Sequence, residues 1–255
     1  MSTLSLLPVH WPAPRPVRAA CTLRDGGVSA DPYASFNLAA HVGDDPRAVA
    51  SNRARLLTGL RLPHEPLWLN QVHGTQVLEA SGALSPGAGP PPQADAATTG
   101  TPGIVLAVLV ADCMPILLCR RDGAGVAVAH AGWRGLAAGV VEAAMAKLGV
   151  GAEQVLAWLG PSIGPSHFEV GDEVRAAFCA HDARAESGFT RNQRGRWQCD
   201  LYQIATQRLR SLGVGSIHGD RLCTYSERER FFSHRRDGRT GRMAALIWLE
   251  PNRFA

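Results

Sequence analysis

Lysine is nearly missing from this chain: 26 residues are basic, and Lys147 is the only lysine among them. With alanine and glycine both abundant, the bias reads as genome composition, and a guanidinium-rich binding surface is the alternative until the arginines are located. Charge of either sign is sparse too, at 19% of residues with a net of +4. So mild a surplus is far from the positive field of a nucleic-acid binder, and no nucleic-acid partner is expected. No apolar run approaches the ~20 residues of a membrane helix, so no membrane partner is expected either. The six cysteines, at 21, 113, 119, 179, 199 and 223, contain no CxxC pair and are too thinly spread for a disulfide framework. Residues 1–20 carry no early basic residue and have prolines at 8, 12, 14 and 16, a poor match to a secretory leader. Reduced cysteines in a cytoplasmic protein are the resulting expectation. Neither a Walker loop nor G-x-G-x-x-G occurs, which argues against nucleotide cofactors bound in those ways.

What is present is a chain able to bury a full core. Its 255 residues are 45% hydrophobic, enough for one large domain or two closely packed halves. Residues 1–20 read as an extended lead-in and 21–255 as a single domain. Helical periodicity runs over 46–60 through Val49, Arg53, Leu56 and Leu57. Residues 66–80 (PLWLNQVHGTQVLEA) read as strand, Gly turn, strand, and the Gly/Pro-rich 81–92 as a surface loop. GIVLAVLV at 103–110 is too short and too evenly apolar for a helix and reads as a buried strand, continued by strands over 115–119 and 125–129. A helix is predicted over 133–148, with Leu136, Val140, Ala144 and Leu148 on one stripe and Gly149 beyond its end. A strand over 155–159, helices over 169–180 and 201–212, the latter with Asp200 as N-cap, and a strand over 243–249 follow. Strands and helices both alternate and cluster, so the expected class is α+β.

Three potential ligands end or interrupt buried strands: His73 in NQVHG, Cys113 in ADC and His130 in HAGWRG. Two imidazoles and a thiolate make a three-ligand zinc site with an open fourth position, the arrangement of a catalytic metal; three ordinary buried side chains are the alternative. The Gly-rich turn at 132–135 suits an anion, with Arg134 adding a guanidinium, or else its glycines only let a helix pack close. GPSIG at 160–164 imitates a nucleophile elbow, but Pro161 and Pro165 flank Ser162 and favour a turn. HFE at 167–169 lacks the P-C-x-x-C of zinc deaminases. Seven arginines between 220 and 242 alternate with acids, which argues for a solvated, paired segment with Arg235 and Arg236 the candidates to enter a pocket.

These motifs, with CTYS at 223–226, FFSHRRDG at 231–238, TGR at 240–242, and upstream SFNL at 35–38 and HVGDD at 41–45, closely resemble the laccase-domain or polyphenol oxidase family, also described as purine nucleoside phosphorylases and peptidoglycan editing factors. The resemblance covers roughly residues 20–250. It implies a single α/β/β/α layered domain with mixed β-sheets sandwiched between helices, and zinc on His73, Cys113 and His130. It also implies phosphorolysis of adenosine, inosine and methylthioadenosine, and deamination of adenosine. Phe36 and His234 stand where leucine and tyrosine are common in the family, and Ser162 where alanine is.

A metal that acidifies water to a pKa of ~7 supports attack at the purine C6. Asp112, beside Cys113, is the nearest carboxylate to move the proton, although strand alternation can turn it away. Phosphate needs cationic or N–H donors, for which Arg134 is available. Asn37, His41, Gln71 and Arg236 are the expected substrate contacts, chosen as polar residues in motif segments. Three rival readings use the same residues. Cys113 can be the nucleophile of a hydrolase editing peptidoglycan precursors, activated by His73 or His130. A copper-dependent polyphenol oxidase is weakened because the nine histidines contain no H-x-H pair, leaving at most a single copper on two His and one Cys. Zinc can also be purely structural in a binding protein, with His41 or another histidine as fourth ligand. The expectation adopted is a cytoplasmic zinc enzyme acting on purine nucleosides and phosphate; oligomeric state is not legible.

Overall fold

The computed structural model describes residues 4–82 and 89–251. Two sheets stacked face to face build the centre. The first has strand order β1 (Leu6–Leu7), β2 (Val17–Thr22), β13 (Met243–Leu249), β5 (Val105–Val110), all antiparallel. The second is mixed, in the order β12 (Ser216–His218), β8 (Val155–Leu159), β6 (Met114–Arg120), β7 (Val126–Ala131), β4 (Ala96–Thr99), β3 (Val77–Glu79), with parallel pairing only at its two edges. A small antiparallel sheet of β10 (Phe189–Arg191), β11 (Trp197–Cys199) and β9 (Glu169–Val170) stands apart from both.

Period-two alternation explains the layering. Leu106, Val108 and Val110 of β5 and Met243, Ala245 and Ile247 of β13 face inward, where they meet Leu117, Val128 and Trp158 of the second sheet. The intervening Ala107, Leu109, Ala244 and Leu246 face outward, toward Phe36, Leu38 and α1 (Pro46–Gly59). On the far side, Ile116, Leu118, Ala129 and Ala157 pack against α2 (Trp133–Ala138), α3 (Val140–Leu148), α4 (Asp172–His181) and α5 (Leu201–Leu212). The molecule is therefore one α+β domain in four layers, helix, sheet, sheet, helices. Every residue of β5, β6 up to Cys119, β7 and β13 is buried, and cover on both faces is why antiparallel strands here read as unbroken apolar runs. No helix among the described residues is long and apolar enough to cross a membrane.

The structure departs from the sequence expectations at several points. The helix predicted over 133–148 is two helices, because Gly139 takes φ 102°, capping α2 with its N–H on Gly135 and Leu136 and starting α3. The buried stripe survives the break. Helix α4 starts at Asp172 rather than 169, since Glu169 and Val170 pair with β11. Residues 66–80 do not form a hairpin: only 77–79 are a strand, and 70–76 form a loop tied to a buried carboxylate described below. The boundary expected after residue 20 falls inside β2, and β1 adds to the same sheet. Of the loop expected over 81–92, residues 83–88 lie outside the described residues. The short helix α6 (His234–Asp237) has no counterpart in the sequence expectations.

Candidate metal centre

Strand β7 carries His130 on the same face as Val126 and Val128, so its ring emerges at the rim of the layer between the sheets. Cys113 lies in the bend between β5 and β6, where the chain passes from the first sheet to the second. His73 comes from the 70–76 loop with φ 62°, and Asp112 before the cysteine has φ 91°; both are left-handed conformations costly for non-glycine residues. These three segments bring one ring nitrogen from each histidine and the Cys113 Sγ within 4.8 Å of one another. Sγ stands 3.7 Å from His73 Nε2, against about 3.6 Å for sulfur and nitrogen on one tetrahedral zinc. The two imidazoles meet edge to face at 4.8 Å. Burial is graded, His130 buried, Cys113 half-buried and His73 exposed, so the group has one side toward solvent. The donor set and its spacing fit a metal.

A carboxylate absent from every motif organises this group. Asp95, fully buried, accepts the His130 Nδ1 at 2.9 Å on Oδ1, and the same oxygen accepts the His73 N–H. Its Oδ2 accepts the N–H groups of Val72 and Gly74. One side chain thereby fixes the tautomer of His130, leaving Nε2 for a metal, and holds the His73 loop in its strained form. Gly132 is required by close approach: a Cβ there would stand 2.8 Å from the His73 ring and 2.9 Å from Cys113 Sγ. A Cβ on Gly135 would reach 3.0 Å from the Gly74 carbonyl. Close packing against the His73 loop thus accounts for both glycines.

The metal-free electrostatics favour an ion pair. Burial alone would raise the Cys113 pKa, but the His130 charge and hydrogen bonds from His130 and His73 outweigh it and bring it down to about 6. Burial likewise works against a charged His130, yet the Cys113 charge and the Asp95 bond lift it to about 9. Cys21 and Cys119, by contrast, are pushed up to about 12 by burial. Iodoacetamide is therefore expected to label chelator-stripped protein at Cys113 with a midpoint at about pH 6, leaving Cys21 and Cys119 unmodified. Peptide mass spectrometry across a pH series reads this, and a midpoint near that of a free thiol would contradict the pairing.

The other expected site residues are not gathered around this group in the same way. Asp112 turns away: its oxygens accept the Thr224 hydroxyl at 2.6 Å and the Arg235 N–H at 2.7 Å. Asn37 is fully buried, its amide bonding Ala39, Asp44 and the Arg242 N–H. Gln71 bonds both backbone groups of Leu109, acting as a strand extension beside β5. Arg236 spends its guanidinium on the carbonyls of Thr224, Tyr225 and Phe231 and on Asp237. These four polar side chains are committed inside the fold. His41 is exposed, and burial of part of its ring with the nearby Arg242 and Arg53 charges lowers its pKa. Arg134, exposed, lies 4.4 Å over the Trp133 ring at a cleft of about 300 Å³ that Phe168, Arg196 and Arg235 also line. Ser162 is buried in extended chain that bridges Cys223, with the turn falling later, at 165–167, and no helix directly behind it.

Over residues 18–250 the chain matches the family model described as multi-copper polyphenol oxidoreductase laccase. It is 51% identical to the protein named purine nucleoside phosphorylase YfiH of Escherichia coli K12, across 96% of this chain and 98% of that one. A purine nucleoside phosphorylase of Mycobacterium tuberculosis CDC 1551 is 40% identical over 92% of both chains. Among solved structures, protein NMB0706 of Neisseria meningitidis superposes with a TM-score of 0.91 at 45% identity, covering 96% of this chain and 99% of that one.

Proposed function

The chain belongs to the multi-copper polyphenol oxidoreductase laccase family, and from that premise we propose that it is a zinc-dependent purine nucleoside phosphorylase. The substrates proposed are adenosine, inosine and methylthioadenosine with inorganic phosphate, and a second, hydrolytic activity deaminates adenosine. The observation that carries this reading is the convergence of His73, Cys113 and His130 with Asp95 behind His130, in a chain whose close relatives bear the phosphorylase name. Zinc held by His73, Cys113 and His130 would supply Lewis acidity there. A centre of several coppers is disfavoured by the donors, since the described residues contain one such three-residue group.

In this reading the chain's own residues hold and orient. His73, Cys113 and His130 are the metal ligands, and Asp95 keeps the His130 proton on Nδ1. Asp112 is a positioning residue: its two bonds lock the bend that presents Cys113 to the 224 and 235 segments. Asn37, Gln71 and Arg236 are assigned to the frame around the site rather than to substrate. Adenosine incubated with and without phosphate tests the proposal by mass spectrometry of products. Adenine and ribose 1-phosphate only in the presence of phosphate, together with zinc-dependent inosine, are expected; no turnover by zinc-filled protein would overturn it.

The Cys113 to His73 contact and the lowered thiol pKa support a second reading, a cysteine hydrolase acting on a cell-wall precursor. Chelation separates the two, because removing metal frees the nucleophile in one and abolishes activity in the other.

A further inference from the structure

Strand register brings Arg242 to the edge where Cys113 lies. Met243 pairs with Val110 at the end of β5, so Arg242 stands beside Ala111, two residues before the cysteine. Its backbone is clamped, the N–H donating to Asn37 Oδ1 and the carbonyl accepting from Leu38. The half-buried guanidinium donates only through Nη1, to the carbonyls of Thr240 and Gly241. Its Nε and Nη2 have no partner among the described residues, and they are not among the polar atoms sealed from solvent. The anionic groups nearest in charge are Cys113 and Asp112. Asp112, however, is already spent on Thr224 and Arg235. Tyr33, the third group felt, donates to the Val42 carbonyl and accepts from Arg239.

The result is a rigid, half-buried cation with no carboxylate partner among the described residues, open beside the candidate metal centre. A guanidinium fork with its Nε and Nη2 edge open to solvent matches two oxygens of a tetrahedral anion. Exposed His41 stands on the loop that Asn37 ties through Ala39 and Asp44, and that Arg239 ties through Gly43, to the segment containing Arg242.

We propose that the free edge of Arg242, with His41 beside it, is the subsite for inorganic phosphate. The inference rests on the phosphorolytic reading above. A phosphate oxygen held there forms the bond to the ribose C1′ as the C1′–N9 bond breaks. The bonding pair leaves on the purine, and the proton of monohydrogen phosphate ends on the base, so charge and atoms balance. Arg134, in the outer cleft, is the rival anchor.

Calorimetric titration with inorganic phosphate, on protein of measured metal content, decides between them. Arg242→Gln is expected to weaken phosphate binding about tenfold or more and to raise the phosphate KM equally, with metal content and nucleoside KM unchanged. His41→Asn, which removes no structural bond, is expected to weaken it several-fold and serves if Arg242→Gln fails to fold. Arg210→Ala, an exposed arginine on α5, should bind as wild type. Loss of phosphate affinity in Arg134→Ala with none in the Arg242 or His41 variants would overturn the proposal, as would wild-type protein that binds no phosphate. Arg242-dependent phosphate binding without nucleoside cleavage would uphold the subsite and refute the phosphorolytic reading alone.

Discussion

Cys113→Ala is expected to purify with little or no metal and to lose at least about 10³-fold in kcat/KM for phosphorolysis, ~4 kcal/mol of transition-state stabilisation. No other His, Cys, Asp or Glu among the described residues joins the group, so the variant keeps two imidazoles and loses the thiolate donor. The side chain is small and half-buried, and the fold should survive its removal with a melting midpoint within a few degrees. Metal-to-protein ratio by elemental analysis and steady-state kinetics read the two effects separately. A metal-free variant with wild-type activity would end the metal-dependent reading; a metal-retaining but inactive one would favour the nucleophile.

Asp95→Asn is expected to weaken metal binding by about 10- to 100-fold and to destabilise the protein by roughly 2–5 kcal/mol. The carboxylate receives four N–H donors, two on each oxygen. An asparagine offers one acceptor oxygen and turns an NH₂ toward the remaining pair. Either His130 loses its partner and its tautomer, or the 72–74 loop loses its anchor. The pH dependence has a definite sign. Burial opposes ionisation of Asp95, but the His130 bond and the Gly74 and Val72 N–H groups hold its pKa below the ordinary carboxylate value. Its stabilisation is thus present above the usual carboxylate range and is lost as pH falls through the depressed value. Wild-type protein and the Asp95→Asn variant should therefore converge in stability in strong acid and separate toward neutrality, measured by denaturant titration across pH; parallel curves would contradict the role.

Much of this was legible in the chain, for reasons that differ by residue. Cys113 and His130 sit in short motifs beside buried apolar runs, which two-sided burial makes easy to recognise, whereas His73 follows exposed Val72 in a loop and is marked only by its NQVHG motif. Asp95 was not legible: it stands in QADAA, and its importance comes from residues 72–74 and 130, which only the fold brings to it. Strand β4 carries no signal in the sequence either, because AATT has neither bulk nor alternation and is buried by what surrounds it. Asn37, Gln71 and Arg236 stand out in the sequence by polarity, but polarity alone cannot separate a side chain that meets a ligand from one that caps a backbone. The helix break at Gly139 was hidden because Leu136 and Val140 stay on one buried stripe through the kink. Arg242 was lost among seven arginines, which become distinguishable only once their partners are known.

Strand β13 occupies the interior of the first sheet, between β2 and β5, and pairs residue 247 with residue 19. A sheet closed by partners more than 220 residues apart is a late event in folding, since the loop entropy must be met before the contacts form. The second sheet, made wholly of segments between Val77 and His218, has no such dependence and can assemble on the nascent chain before residue 243 leaves the ribosome. His73, Asp95, Cys113 and His130 all precede that point. Arg242 arrives with the closing strand, so the segments carrying His73, Asp95, Cys113 and His130 are all synthesised before the guanidinium edge that the last strand brings beside them.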